Sequence, residues 1–270
     1  MKDTYRLIAL DLDGTLLNSD GRISPRSAAA VKEILRRGKQ AVFATGRCMG
    51  EMEAYLNMFP EMNYLICESG ACIYDLKERK HLFLRPIVPP LAEEIIRAAE
   101  KEEHMAAFFM GNRAFMDSHT AKNPADFGLG DPVTGTVQVD NLFAFYRENP
   151  MEVEKINLFF RGEAPGRRVL GRLAGKPLSI SGSLSGNLEI NAAGVNKGAG
   201  LRMLCDRLDI PLSQVIAVGD NRNDGEMLRA AGLSVAMGNA VPALVPFARV
   251  KTLDCNHDGA ALVMEEYMLS

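Results

Sequence analysis

Leu7-Ile8-Ala9-Leu10-Asp11-Leu12-Asp13-Gly14-Thr15 is the stretch that decides how the rest of the chain is read. Four apolar residues stop abruptly at two aspartates, a glycine and a threonine. That is the pattern of a strand buried on both faces of a parallel sheet and ending in a polar tip. Just beyond it, Ser24-Pro25 reads as an N-cap followed by proline at the first helical position. Ala28, Val31, Ile34 and Leu35 then recur at helical spacing, and Gly38 stands where a C′ glycine ends a helix. Ala41-Val42-Phe43-Ala44 is a second apolar run, stopping at Thr45-Gly46-Arg47. The order is strand, helix, strand, with polar residues at both strand ends.

The C-terminal part repeats this grammar. Asn196 can cap a helix carrying Leu201, Leu204 and Leu208. Val215-Ile216-Ala217-Val218 is a strand ending in Gly219-Asp220, Met227, Leu228 and Ala231 suit a helix, and 234–238 reads as a further strand. Alternating strands and helices predict an α/β fold with a doubly wound, Rossmann-like parallel sheet, in which ligands bind beyond the carboxyl ends of the strands. Between the two parts lie Pro86, Pro89 and Pro90, a helical stretch from Leu91 to Lys101, aromatic strand-like pieces (106–109 and 156–160) and a Gly/Ser-rich stretch at 181–186. This texture predicts an inserted α+β cap domain over 83–188, with 1–82 and 189–270 forming the core domain.

The 270 residues include 31 Lys plus Arg and 34 Asp plus Glu, a net charge of −3, and 47% are hydrophobic. An apolar fraction of this size excludes a disordered chain. The scattered basic residues argue against a nucleic-acid or membrane-surface binder. No window is apolar for long enough to span a bilayer, and the first residues carry no signal-peptide core, which points to the cytoplasm. Cys48, Cys67, Cys72, Cys205 and Cys255 are odd in number and lack metal-site spacing, so they read as thiols. His81, His104, His119 and His257 are scattered and read as core or surface residues.

A parallel sheet would bring Asp11, Asp13, Thr45, and Asp220 with Asn223 and Asp224 to one edge, although about 200 residues separate the first from the last. Two carboxylates 4 Å apart repel by about 4 kcal/mol at an effective dielectric near 20. Converging aspartates therefore need a cation. Hard oxygen donors without His or Cys favour Mg²⁺, which takes a few carboxylates, waters and a substrate phosphate. Other motifs fail. An EF-hand starting at Asp220 would place Arg222 and Ala231 at ligand positions, Gly38-Lys39 and Gly175-Lys176 lack the Ser or Thr of a P-loop, and Gly194 to Gly200 does not fit a dinucleotide fingerprint.

Taken in order, Asp11-x-Asp13-Gly14-Thr15, Thr45-Gly46-Arg47, Lys197 and Gly219-Asp220-x-x-Asn223-Asp224 resemble the haloacid dehalogenase superfamily of phosphotransferases. The length, Asn196-Lys197-Gly198 and the large insert resemble its Cof-type phosphatases with a class IIB cap. Gly70-Ala71-Cys72-Ile73, Leu188-Glu189-Ile190 and Asp258-Gly259-Ala260-Ala261 agree with this, and Ser69 departs from the asparagine usual at its position. The resemblance implies that Asp11 is the nucleophile forming an aspartyl-phosphate, and that Asp13 is the general acid and then base, with its carbonyl on the metal. It implies Mg²⁺ on Asp11, Asp13 and Asp220, with Asp224 behind them orienting metal waters and Lys197. Thr45 and Lys197 would bind the transferring phosphoryl group, with Gly46, Arg47 and Asn223 on the substrate side. The activity implied is Mg²⁺-dependent hydrolysis of a small phosphorylated metabolite, most readily a sugar phosphate, by a monomer or homodimer. A phosphomutase or phosphotransferase is the enzymatic alternative, and a catalytically idle regulatory binding protein the other. His119, Lys122 and Asn123 are candidate cap contacts.

Overall fold

The computed structural model describes residues 5–117, 136–182 and 186–270. His119, Lys122 and Asn123 lie outside the described residues. The chain folds as two compact units: residues 1–46, 54–83 and 196–270 in one, and 47–53 with 84–195 in the other.

The first unit begins with β1 (Leu7–Leu10), α1 (Pro25–Arg36) and β2 (Gln40–Ala44). The Ser24 hydroxyl caps α1 by accepting from the Ser27 N–H at 3.0 Å. The apolar stripe of that helix buries Ala30, Val31 and Ile34. After the short α2 (Glu53–Leu56) come β3 (Tyr64–Cys67), β4 (Cys72–Asp75) and β5 (Lys80–Leu84).

The second unit holds α3 (Pro89–Ala99), β6 (His104–Met110), β7 (Arg113–Asp117), β8 (Val137–Val139), α4 (Leu142–Glu148), β9 (Lys155–Phe160), α5 (Glu163–Arg172), β10 (Leu178–Gly182) and β11 (Asn187–Ala192). The chain then returns to the first unit with α6 (Lys197–Leu208), β12 (Val215–Gly219), α7 (Gly225–Ala230), β13 (Leu233–Ala236), β14 (Val250–Lys251) and α8 (Gly259–Val263).

One eight-stranded sheet runs β14-β13-β12-β1-β2-β3-β4-β5. It is parallel from β14 to β3, and β4 turns back antiparallel against β3. β1 lies at the centre between β2 and β12, where the strand order reverses. A parallel sheet leaves its ligand crevice at this switch point. Each residue of β1 and β12 is buried, as both sheet faces are covered. One apolar core joins Leu7, Ala9, Val42, Ile66, Val215 and Ala217 from the strands to Leu201, Leu204 and Met227 from the helices.

The second unit is a six-stranded sheet, β10-β11-β9-β6-β7-β8, antiparallel except for β7 with β8. α4 packs on β6 and β7, and α5 on β9 and β11. Phe108 meets Phe143 and Tyr146 of α4 at ring distances of 5.8 and 5.4 Å. Two segments depart from the boundaries read in the sequence. Residues 189–195 belong to the second unit, because β11 pairs with both β9 and β10. β10 and β11, before and after the Gly/Ser-rich stretch, pair with each other within one unit, so the boundary does not fall there. Residues 47–53 also belong there: Cys48 is buried against Met105, Ala107, Phe109 and Phe159, and the Gly50 N–H donates to Asn112 O at 2.9 Å. Local propensity carries no trace of either assignment, since both are set by non-local pairing. Three element ends also move: α3 starts at Pro89 rather than Leu91, Ala231 falls beyond α7, and β13 ends at Ala236.

Candidate active site

Asp11 continues β1 by one residue, its N–H donating to Val218 O at 3.1 Å, and the residue is 5% exposed. Lys197 is the first residue of α6, capped by Asn196, whose Oδ1 accepts from the Ala199 N–H at 2.8 Å. A lysine at a helix N-terminus opposes the helix dipole and is mildly unfavourable there. Its ammonium, 1% exposed, is compensated by two carboxylates: Nζ donates to Asp11 Oδ1 at 2.5 Å and to Asp224 Oδ1 at 2.7 Å. The other oxygen of Asp224 accepts from the backbone N–H groups of Asp220 and Asn221, at 3.0 and 2.9 Å. Asp224 is thus saturated by its neighbours and acts by fixing Lys197 and the Asp220 backbone.

Asp220 follows β12. Its Oδ1 accepts from Thr15 Oγ1 at 3.2 Å, and Oδ2 lies 3.4 Å from Asn239 Nδ2, which also donates to Gly14 O at 2.8 Å. Asp11, Asp220 and Asp224 bring carboxylate oxygens within 4.8 Å of one another. Three carboxylates and one ammonium leave an excess of negative charge. Burial, then Asp224 and Asp220, hold the Asp11 carboxyl well above the usual carboxylate range, only partly offset by Lys197. Burial, then Asp224, push Asp220 up to about 6. Burial alone would lower Lys197, but Asp11 and Asp224 outweigh it and keep the ammonium charged. Hard oxygen donors short of positive charge are the chemistry of a Mg²⁺ site, and these residues fit that ion.

The structure brings together Asp11, Lys197, Asp220 and Asp224 as the sequence predicts. Asp13 lies two residues past Asp11 with an exposed side chain, and its backbone bridges to Leu17. Thr45 is fully buried at the end of β2, its C=O accepting from the Ser69 N–H at 2.9 Å. Gly46 follows it, and Arg47 opens the segment that belongs to the second unit. Asn223 is half-buried in the single turn at 222–224. Sequence reading missed Thr15 and Asn239 as partners of Asp220. Thr15 lay inside the quoted motif, whereas Asn239 follows β13 and had only its strand-end position to mark it.

Gly14 is required where it stands. Its φ is +84°, and a Cβ there would sit 2.4 Å from Asp220 Oδ2. Gly14→Ala is expected to cost about 1–3 kcal/mol of stability through left-handed strain and to displace Asp220. Chemical denaturation read beside Mg²⁺ affinity checks this, and loss of stability with unchanged affinity would separate the two effects.

The chain resembles known proteins over most of its length. The family model of haloacid dehalogenase-like hydrolases matches residues 8–264. The phosphatase YwpJ of Bacillus subtilis (strain 168) is 29% identical, covering 97% of this chain and 100% of that protein. An HMP-PP phosphatase of Yersinia enterocolitica is 30% identical over 89% of this chain and 86% of its own. A haloacid dehalogenase-like hydrolase structure from B. subtilis superposes with a TM-score of 0.86 at 26% identity, covering 97% and 99% of the two chains. The chain belongs to the haloacid dehalogenase-like hydrolases and is an enzyme of their phosphatase class.

Proposed function

We propose that this protein hydrolyses the phosphate monoester of a small metabolite, most readily a sugar phosphate, through an aspartyl-phosphate on Asp11 with Mg²⁺ bound beside it. The observation that carries this reading is Lys197 Nζ held between Asp11 and Asp224 at the carboxyl ends of β1 and β12, with Asp220 alongside. Names of relatives point the same way: an HMP-PP phosphatase and a 5-amino-6-(5-phospho-D-ribitylamino)uracil phosphatase, each acting on a small phosphorylated molecule.

Asp11 is the nucleophile, its carboxylate oxygen attacking phosphorus as the ester oxygen leaves. Lys197 favours the ionised form of that carboxylate and aims it, and with Thr45 donates to the phosphoryl oxygens, where charge develops in the transition state. Asp13 protonates the leaving oxygen. In the second step it takes a proton from the water that attacks phosphorus, which releases phosphate and restores Asp11. Mg²⁺, held by Asp11, Asp220 and the Asp13 carbonyl, would neutralise the phosphate charge that otherwise repels an anionic nucleophile. Gly46, Arg47 and Asn223 are assigned to the substrate side, and the unit inserted between Thr45 and Lys197 to substrate choice.

A panel of phosphorylated sugars, nucleotides and cofactors assayed with Mg²⁺ present or chelated tests this reading. Phosphate release that requires the metal is expected. Transfer of the phosphoryl group to an added acceptor sugar, with no free phosphate, would overturn hydrolysis.

Metal binding should be legible in stability. With its folded pKa raised to about 6, Asp220 holds more protons in the folded than in the unfolded state over the window between the two values. Its contribution is therefore most favourable at acid pH and falls as pH rises through about 6. A cation reverses that penalty by favouring the ionised form. Mg²⁺ at about 100 times its Kd should stabilise by about 2.7 kcal/mol at pH 7.5 and by distinctly less at pH 5. Thermal melts with Mg²⁺ or EDTA at both pH values measure it, and an equal shift at both would contradict the assignment of Asp220.

A further inference from the structure

The turn between β3 and β4 carries a second cluster, distinct from the carboxylate group. Cys67, Glu68 and Cys72 are fully buried, and their sulfur and carboxylate oxygen atoms lie within 4.8 Å of one another. Cys67 and Cys72 are direct partners in the antiparallel register. The Thr45 N–H donates to the Ile66 C=O, so Ile66 faces β2 and the next residue, Cys67, faces β4. Cys67 and Cys72 are therefore a hydrogen-bonded pair, whose Cα atoms stand about 5.5 Å apart in such a ladder and whose side chains share a face. Disulfides span Cα separations of about 4.4–6.8 Å. Little backbone movement is needed to bond the two sulfurs. A cation on two thiolates and the Glu68 carboxylate would leave net negative charge in a place with no exposed surface, whereas a disulfide is neutral.

The turn between these cysteines is strained and touches the active site. Glu68 and Ser69 take φ of +52° and +59°, a left-handed conformation uncommon for such residues. The Ser69 N–H donates to Thr45 O. Gly70, at φ +98°, lies so close to α6 that a Cβ would sit 2.3 Å from Asn196 O, the residue before Lys197. A bond closing the base of this turn ties its two ends together and so constrains the backbone that contacts Thr45 and the start of α6.

We propose that Cys67 and Cys72 form a reversible dithiol–disulfide site that responds to peroxide-class oxidants and alters turnover. One sulfur attacks a peroxide oxygen, breaking the O–O bond to give a sulfenic acid and one water. The second thiol then attacks that sulfenyl sulfur, forming the S–S bond and releasing a second water. The sulfurs lose two electrons, the peroxide gains them, and the thiol protons leave in the waters. A dithiol reductant reverses the change by exchange. Because both thiols are buried, oxidation waits on opening of the turn and is slower than at the partly exposed Cys255.

The test uses full-length protein carrying Cys255→Ser, reduced, desalted, exposed to hydrogen peroxide, and digested without reduction. A crosslinked Cys67–Cys72 peptide pair is expected to accumulate, with phosphate release falling about fivefold or more and dithiothreitol restoring both. A Cys67→Ala/Cys72→Ala protein should hold its turnover under the same treatment. Full alkylation of Cys67 and Cys72 after exposure that oxidises Cys48 or Cys205 would overturn the proposal, as would a disulfide that leaves turnover unchanged. The effect on turnover rests on the phosphatase reading, while the crosslink does not. Reduced protein with no phosphate release at all would sink that reading and leave the crosslink to decide the dithiol site.

Discussion

Asp11→Asn is expected to lower Mg²⁺-dependent phosphate release by at least about 10³-fold, roughly 4 kcal/mol of barrier, while the protein stays folded. The amide is almost the same size as the carboxylate but is too weak a nucleophile to take up a phosphoryl group, so the covalent step is lost rather than slowed by misplacement. Folding should survive for an electrostatic reason. Asp11 is buried among Asp220 and Asp224, and burial and those two carboxylates together hold its carboxyl well above the ordinary range. A neutral amide removes one negative charge from a cluster that has too many, and it leaves Lys197 bonded to Asp224. Without metal the variant should melt no lower than the parent, and at pH 7.5 somewhat higher. Steady-state phosphate release and metal-free thermal melts decide this together. Unchanged release would remove Asp11 from the mechanism, and loss of release with loss of folding would leave its chemical role undecided by this variant, in which case Asp11→Ser is read in the same two assays.

The site was legible in the sequence because each contributing residue sits where a regular element stops. β1 ends before Asp11, β2 before Thr45 and β12 before Asp220, and Lys197 opens α6 behind its Asn196 cap. A strand buried on both faces has to be apolar throughout, so the first carboxylate after it marks its end. Parallel pairing then gathers those ends on one edge however far apart they lie in the chain. Asn239 escaped because nothing local distinguishes it from any asparagine after a strand. Its role depends on β13 lying next to β12, and on Asn239 Oδ1 accepting from the Cys255 N–H at 3.1 Å while its Nδ2 reaches Gly14 O. The misplaced edges of the second unit have the same origin. β11 pairs with β9, about thirty residues earlier, and Cys48 packs on strands that lie more than fifty residues later. Hydrophobic period reports which face of an element is buried, but not which partner buries it.

Lys197→Met should produce the largest combined loss: phosphate release down by at least about 10³-fold and folding stability down by roughly 3–5 kcal/mol at neutral pH. Methionine fills much of the same volume, so the destabilisation measures charge rather than a cavity. Its source is the pair left behind, since Asp11 and Asp224 are both buried and both give up their ammonium donor. In the parent, Lys197 is held charged well above its ordinary range. Its stabilising contribution is therefore fully present below the unfolded lysine pKa and is lost only as pH rises through the still higher folded value, so it does not vary between pH 5 and 9. In the variant Asp11 loses the ammonium that partly offsets its already raised pKa, so its folded value rises further above the unfolded one and it weakens the fold as pH rises through that window. The deficit relative to the parent should accordingly be larger at pH 7.5 than at pH 5, as read by urea denaturation at each pH. Adding Asp11→Asn to Lys197→Met should return part of the stability and none of the activity, because removing a buried unpaired charge relieves the fold but cannot restore the nucleophile. A double variant as unstable as Lys197→Met alone would show that the lysine supports α6 by packing, and that its bonds to Asp11 and Asp224 contribute little to holding the site.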